Sequence, residues 1–452
     1  MAKIKASIFI LISWLLLAFT VHAESPPETL NENPTAFDIT QLQSLFEAYQ
    51  RMQAYAYARR YLSVMEGNPY FDYFYGVSAI DTGKASEGVF ALERVLLTFP
   101  DDQVARLELA RGYFVLQEYA LSRQAFEQVL NTNPPATVRD TAEAYLDKIR
   151  VSESRYRPTH SGFIDFSMGN DDNVNAGVDE NSTFQLVSLL TAESFGQDDN
   201  FASLNGAWTY IHPFSPGWLF ESTLSADLRK NQELDQFDTT TGTMQLGISH
   251  LQGTHKYKAE IIAQQFQLDG NEYRSLSGVN LDWQYTLSEQ SSINSTLQVA
   301  QLDYPDLAIK NSDLGILGIS YIHAFSAYLQ PVVFTSINAG KEQAEQNTNP
   351  TALSDTERNI YSLRAGVILS FTNTLALQSA AGLQKSEFAG APFFQPDVLR
   401  EDDYTTADIA LLWAFERKWR LETRYSHTEN NSNYDLRDYE RNVFDMSINY
   451  TF

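Results

Sequence analysis

The sequence predicts an N-terminal domain of α-helical repeats followed by a transmembrane β-barrel of about 14 strands. Three observations predict this α plus transmembrane β fold class. Residues 38–152 have apolar residues at helical spacing and repeat at a shift of 34 positions. Residues 160–452 alternate apolar and polar side chains. Short and long connections between these segments alternate along the chain, as they do in outer-membrane barrels.

The composition excludes several classes of site and partner. The chain has 452 residues, with 32 basic and 57 acidic side chains and no cysteine. The absence of cysteine excludes disulfides, cysteine metal sites and thiol nucleophiles. The net charge of −25 argues against a nucleic-acid partner. The mean hydropathy of −0.30 resembles that of a soluble protein, but a window average misses a barrel whose inward residues are polar.

The first residues read as an export signal. Lys3 and Lys5 precede an apolar run over residues 6–20, and small residues around Ala23 suit cleavage after that position. The run is shorter than the roughly 20 residues that a membrane-spanning helix needs. We therefore expect a signal peptide at residues 1–23 and a proline-containing linker at 24–37.

The segment 38–152 contains two units that superimpose. The matched pairs are Tyr75 and Leu109, Gly76 and Ala110, Leu92 and Phe126, Val95 and Val129, and Pro100 and Pro134. A 34-residue period with a closing proline is typical of tetratricopeptide repeats. A degenerate unit precedes them at residues 37–69, and residues 136–152 form a predicted capping helix.

Such solenoids present a concave groove that binds peptides or proteins. By repeat register, the predicted groove residues are Tyr70, Tyr73, Glu108, Arg111 and Phe114. The alternative is that the three aromatic side chains are packed between helices, and the sequence leaves both interpretations open.

The alternating segments are long enough to cross a membrane at a tilt, which takes about 9 to 11 residues. Short turns are predicted near residues 213–217, 252–254, 288–290, 326–327, 372–374 and 416–418. Longer or more polar loops are predicted near 171–200, 230–239, 269–272, 304–311, 342–356, 389–402 and 430–440, although the third is short. Aromatic residues such as Phe214, Trp218 and Trp419 crowd the short turns, as in an interfacial girdle.

Thirteen such connections give 14 strands. Because this number is even, the first and the last strand should both have their free chain ends on the periplasmic side, where the helical domain is expected. The polar face of the strands predicts a wet lumen with both signs of charge. Its charged candidates are Glu221, Asp227, Arg229, Lys258, Glu260, Arg364, Arg420, Glu422 and Arg424. The last segment resembles the signal by which outer-membrane proteins are recognised for barrel assembly. It places apolar side chains at every second position: Phe444, Met446, Ile448, Tyr450 and Phe452.

No catalytic or metal motif is recognisable. The six histidines after residue 23 are scattered and form no pair at ligand spacing. The run Asp171–Gly177 resembles a calcium loop but has Ala176 at its sixth position and Ser182 at its twelfth, so we interpret it as a solvated acidic loop. His427 with Ser432 is the nearest candidate for a nucleophile and base near the outer rim, and it is a poor one. We expect neither an enzyme nor a cofactor.

The whole mature chain resembles the tetratricopeptide outer-membrane proteins typified by the surface lipoprotein assembly modulator, Slam. Residues 162–175 look like the first barrel strand of that family, which ends in a similar Asp-x-Asn-Val-Asn stretch, here Asp171–Asn175. The resemblance implies a bacterial outer-membrane translocator whose periplasmic repeats engage clients. The implied clients are surface lipoproteins or soluble secreted haem- or metal-scavenging proteins. Further expected partners are outer-membrane lipid, the barrel assembly machinery and periplasmic chaperones.

Three alternative functions stay open at this point. An exopolysaccharide export porin also joins such repeats to a barrel, although it usually carries many more of them. A plugged barrel could instead anchor a periplasmic scaffold. A passive channel for small solutes is the third alternative.

Overall fold

The computed structural model describes residues 37–155, 157–178 and 190–452. The predicted signal peptide and nearly all of the predicted linker lie outside the described residues. The chain divides into two compact units between Leu116 and Gln117. The predicted domain bounds of 38–152 and 160–452 stay predictions.

Seven α-helices precede the strands within the described residues. They are α1 (Ile39–Glu47), α2 (Arg51–Met65), α3 (Pro69–Asp81), α4 (Ala85–Thr98), α5 (Gln103–Val115), α6 (Tyr119–Leu130) and α7 (Ala136–Glu153). The 34-residue period is visible directly, because α3 and α5 begin at Pro69 and Gln103, and α4 and α6 begin at Ala85 and Tyr119. In the described part of the chain, no helix has both the length and the apolar composition to cross a membrane.

Equivalent caps begin α3 and α5. The Asn68 side chain accepts hydrogen bonds from the backbone N–H groups of Tyr70 and Phe71, and Asp102 accepts from those of Val104 and Ala105. Both side chains satisfy N–H groups that lack a partner in the first turn of a helix. The two caps stand 34 residues apart, so the repeat extends to the residues that start the helices.

The first unit is held together by close helix packing and a buried ion pair. A Cβ atom on Gly88 of α4 would lie 2.4 Å from the carbonyl oxygen of Gly76 on α3, so the two helices cross where only glycine fits. Asp72 is fully buried and accepts two hydrogen bonds from Arg94, at 2.8 and 2.9 Å. The core of the first unit contains a cluster of fully or nearly fully buried residues: Leu42, Ala54, Ala58, Phe71, Tyr75 and Ala91.

The second unit contains α6, α7 and the strands. Phe126 of α6 stacks on Tyr145 of α7 with ring centroids 5.0 Å apart. Arg417, in a turn between two strands, lies in salt bridges with Glu143 at 2.5 Å and with Asp147, both on α7. These contacts attach α7 to α6 on one side and to the end of the strands on the other.

Fourteen antiparallel strands form one closed barrel, in which each strand pairs with its neighbours in sequence and β1 pairs with β14. The strands are β1 (Thr159–Asp171), β2 (Asp199–Ser215), β3 (Trp218–Asn231), β4 (Thr239–Gln252), β5 (His255–Leu268), β6 (Asn271–Ser288), β7 (Ser291–Asp303), β8 (Ser312–Ala324), β9 (Val332–Ala344), β10 (Arg358–Ser370), β11 (Leu375–Phe388), β12 (Glu401–Glu416), β13 (Trp419–Ser432) and β14 (Tyr439–Thr451). The predicted number of strands and the fold class are confirmed.

The connections fall near the predicted positions, although the connection between Ala324 and Val332 has seven residues and is longer than the short turn predicted at 326–327. Six turns, which include the two-residue connection Ser215–Trp218, gather at one end of the barrel, the short-turn end. Six of the seven connections at the other end, the loop end, have six or more residues, and the loop between β9 and β10 carries the short helix α8 (Pro350–Asp355). The connection between Leu268 and Asn271 is the short exception that the sequence predicts.

Candidate functional site

The two faces of the barrel wall differ in chemistry. Large apolar side chains such as Leu224, Ile261 and Ile337 are exposed on the outer face, where they would contact lipid. The residues between them on the strands are mostly polar and less exposed, because inward side chains converge on the barrel axis. The predicted assembly-signal residues of β14 share one face, and Phe444, Met446 and Ile448 are exposed there.

The predicted lumen residues Glu221, Lys258 and Glu260 form one ion-pair network on the inner face. Glu221 lies 2.7 Å from Lys256 and 3.8 Å from Lys258, and it accepts a hydrogen bond from Ser249 at 2.6 Å. Lys258 also pairs with Glu260. Buried carboxylates need such partners, because an unpaired charge in a confined space is costly.

A second charged group lies on the opposite arc of the wall. Glu422 on β13 pairs with Arg424 and lies 3.6 Å from Arg420. Arg364 on β10 reaches across β11 to pair with Asp408 on β12, and its register partner on β11 is Gly382, which has no side chain. The inner face therefore carries both signs of charge, mostly as pairs.

Asp171, at the end of β1, is the centre of a cluster that the sequence did not reveal. Its carboxylate is fully buried and accepts hydrogen bonds from Arg229 on β3, at 2.6 Å, and from Arg441 on β14, at 2.9 Å. Arg229 was predicted as a lumen residue, and Asp227 lies two residues before it on the same face of β3. The interpretation of Asp171 as part of a solvated loop is wrong, because the closed barrel brings two arginines to it.

The next residues of the motif join β1 to β14. Asp172 accepts a hydrogen bond from the backbone N–H of Asn442 at 2.6 Å. The buried Asn173 donates to the carbonyl oxygen of Glu440 at 2.8 Å and accepts from the N–H of Gly177 at 2.7 Å. The Asp-Asp-Asn run therefore closes the seam between the first and last strands at the loop end. No group of carboxylates and histidines in the described residues could hold a metal ion.

The described start of the loop between β1 and β2 enters the mouth of the barrel. Asn175 and Ala176 line a cavity of about 390 Å³ together with Arg358 on the inner wall of β10. Arg400 and Tyr404 lie on the same cavity. Residues 175 and 176 thus reach past the adjoining strands β14 to β11 and narrow the loop end of the lumen.

The predicted groove residues of the first unit do not all share one environment. Tyr70 is 67% exposed, and with Tyr73, Phe74 and Phe99 it lines a largely apolar cleft of about 290 Å³. Tyr73 is half-buried between Phe46 and Phe74, and this burial raises the pKa of its hydroxyl to about 12. Tyr70 fits the groove interpretation, whereas Tyr73 combines packing with a share of the cleft.

Glu108 and Arg111 belong to an ion-pair network at the other end of α3. Arg111 contacts Glu108 at 2.8 Å and Asp81 at 2.6 Å, and Asp81 also contacts Arg51 at 3.0 Å. Burial alone would lower the pKa of Arg111, but the two carboxylates raise it, so the guanidinium stays charged. Phe114 is half-buried one turn further along α5.

Comparison with solved structures finds other outer-membrane barrels at low similarity. The outer-membrane channel DcaP of Acinetobacter baumannii is 11% identical, with a TM-score of 0.42 over 65% of this chain and 97% of its own. A loop-deletion mutant of OmpT, an outer-membrane protein of Vibrio cholerae, is 7% identical, with a TM-score of 0.37 over 66% of this chain and all of its own.

Sequence comparison is more specific. A surface lipoprotein assembly modifier of Pasteurella multocida is 24% identical over 261 residues, which are 54% of this chain and 48% of that protein. The chain therefore matches about half the length of this relative. The family model for surface lipoprotein assembly modifiers matches residues 164–452, which include 13 complete strands and most of β1. The chain belongs to the surface lipoprotein assembly modifier family.

Proposed function

We propose that this protein is an outer-membrane translocator that moves client proteins from the periplasm to the cell surface. The clients are surface lipoproteins or soluble secreted haem- or metal-scavenging proteins, and the helical repeats engage them in the periplasm. The observation that carries the proposal is the family match across the barrel, joined in one chain to helical repeats that offer an exposed aromatic cleft.

The barrel supports a path for a polypeptide. A closed wall of 14 strands is wide enough for a lumen that side chains do not fill. Its inner charges are mostly paired with each other, so a passing chain meets a wet wall without a strong field of one sign. The loop that narrows the mouth near Asn175 would have to move for a folded client, whereas an extended segment needs less room.

The cleft around Tyr70 supports a role in client capture. Exposed aromatic rings in a cleft bind apolar side chains of an extended peptide, and the rigid helices keep the rings in place. The placement of the helical repeats in the periplasm belongs to the same proposal, because short turns of outer-membrane barrels face the periplasm. Arg417, which binds α7, lies in one of those turns.

The test is labelling of intact cells with a membrane-impermeant biotin reagent, with and without the gene. We expect one or a few proteins to disappear from the surface and to accumulate inside. A Tyr70→Ala variant should reduce their surface level several-fold, whereas Val64→Ala, which changes an exposed apolar residue on α2, should not. An unchanged surface proteome together with a lost polysaccharide would instead establish the exporter alternative.

A further inference from the structure

Histidines are distributed unevenly along the barrel. Of the six in the described residues, five lie within four residues of a strand terminus at the short-turn end, and only His427 lies near the loop end. We call these five the histidine belt: His160, His212, His250, His255 and His323. They occupy β1, β2, β4, β5 and β8, which form one arc of the wall.

All five side chains share the outer face of the wall. His255 lies two residues before the exposed Tyr257 on β5, and His323 lies two residues after the exposed Tyr321 on β8. Successive side chains of a strand alternate between faces, so residues two apart project to the same side. The belt thus lies at one edge of the apolar surface that would contact lipid.

Aromatic rings pack against three of the belt imidazoles. His250 stacks on Trp218 with ring centroids 4.4 Å apart, and His255 stacks on Tyr285 at 4.7 Å. His323 makes an edge contact with Phe325 at 4.2 Å. Tryptophan and tyrosine concentrate at the level of lipid headgroups in membrane proteins. The imidazoles among them lie at the same level.

The hydrogen bonding of His255 identifies its free nitrogen. The indole Nε1–H of Trp283 points at Nδ1 of His255, 3.1 Å away. Because an indole N–H is a donor only, Nδ1 must accept, and the proton of the neutral imidazole is then on Nε2. Nε2–H is a donor fixed at the edge of the apolar surface.

In the part of the chain that the structure describes, no carboxylate pairs with the belt. Among the described residues, none of the five imidazoles lies within 4.0 Å of a carboxylate oxygen, whereas His427 at the loop end lies 3.6 Å from Glu440. The belt places imidazole N–H donors at the level of the lipid headgroups, next to the apolar outer face of the barrel. This arrangement suits a molecule that has an anionic headgroup and acyl chains.

We propose that the histidine belt binds the phosphate groups of phospholipids in the leaflet around the short-turn end. The imidazole N–H groups donate to phosphate oxygens, and the acyl chains lie along the exposed apolar side chains of β1 to β8. The aromatic stacking keeps the imidazoles oriented before a lipid arrives, which reduces the entropy lost on binding. This binding is independent of the cargo that the barrel carries.

The test uses the full chain purified in dodecyl maltoside, with its thermal unfolding followed by tryptophan fluorescence. Dioleoylphosphatidylglycerol should raise the unfolding temperature more than dioleoylglycerol, which has the same chains without a phosphate. The double variant His250→Phe with His255→Phe keeps the aromatic packing and removes two donors. It should lose at least half of the phosphate-specific rise.

Two further variants make the result specific. His427→Phe, at the other end of the barrel, should keep the full phosphate-specific rise. The double variant His250→Gln with His255→Gln retains side-chain N–H donors and should recover part of it. If the double phenylalanine variant does not fold, His212→Phe, at an exposed position, replaces it in the same comparison. Equal shifts with the two lipids, or an unchanged shift in the phenylalanine variant, would overturn the proposal.

Discussion

Asp171 and Arg441 lie 270 positions apart in the chain and form a buried ion pair across the seam between the first and last strands, with Nε and Oδ1 2.9 Å apart. Arg229 contacts the same carboxylate from β3. One side chain thus ties together three strands that come from both ends of the barrel sequence. The charge on Asp171 is what keeps two guanidinium groups close to each other.

Asp171→Asn should therefore destabilise the closed barrel. The change keeps the size of the side chain but leaves two arginines without an anion, and breaking a buried ion pair costs about 3–5 kcal/mol. The folded barrel should lose its compact, heat-modifiable migration in detergent gels at a lower temperature than the unaltered chain. Asp306→Asn, in an exposed loop position, is the matched control and should leave that temperature unchanged. Equal temperatures for the two variants would mean that the cluster does not stabilise the seam.

Gly88→Ala should destabilise the first unit even though alanine is the better helix former. The gain in helix propensity is about 1 kcal/mol, whereas the added Cβ would lie 2.4 Å from the carbonyl oxygen of Gly76 and force α3 and α4 apart. Overpacking of this kind costs about 1–3 kcal/mol, and contact with backbone puts it at the upper end.

Urea unfolding of the full chain in detergent, followed by the circular dichroism of the helices, measures this effect. Tryptophan fluorescence checks the barrel separately, because every tryptophan in the described residues lies in a strand. Ser86→Ala, at an exposed position on α4, is the control and should be neutral or slightly stabilising. A Gly88→Ala variant as stable as this control would contradict the close crossing.

The first unit should become less stable as the pH decreases, because Glu87 becomes protonated. Tyr75 donates a hydrogen bond to this carboxylate at 2.5 Å, and Arg59 pairs with it at 2.7 Å; both lower its pKa below the ordinary value of 4.5. A carboxyl whose pKa is lower in the folded state stabilises the fold above its unfolded pKa. That contribution is lost as the pH falls through the folded pKa.

Helix unfolding midpoints in urea should therefore decrease from about pH 6 to about pH 3, and by less in a Glu87→Gln variant. Tyr75→Phe removes the largest cause of the lowered pKa and should also flatten the profile. Asp101→Asn, which changes an exposed carboxyl in the same unit, should keep the steep profile. A wild-type slope in Glu87→Gln would show that other carboxyls produce the pH dependence.

Local patterns in the sequence were enough to predict the barrel, its 14 strands and the places of its turns. The alternation around Trp218 and Leu224 is a property of adjacent residues, because a strand sends successive side chains to opposite faces. The 34-residue repeat is also a local pattern, because each helical hairpin needs a small residue such as Gly88 where its two helices cross.

The amino-acid sequence by itself thus determined the class of each segment and the face on which each strand residue lies. Only the tertiary structure decided which distant residues meet. The sequence predicts a solvent-exposed carboxylate at Asp171, because its immediate neighbours are polar. In the structure this carboxylate is buried and paired with arginines from β3 and β14, which only the folded barrel brings to it. The histidine belt depends on strand order and register, because the five positions reach one level of the wall only when the strands from β1 to β8 pair in sequence. Periodicity is local along a strand, whereas contact across the barrel is set by strand order and register.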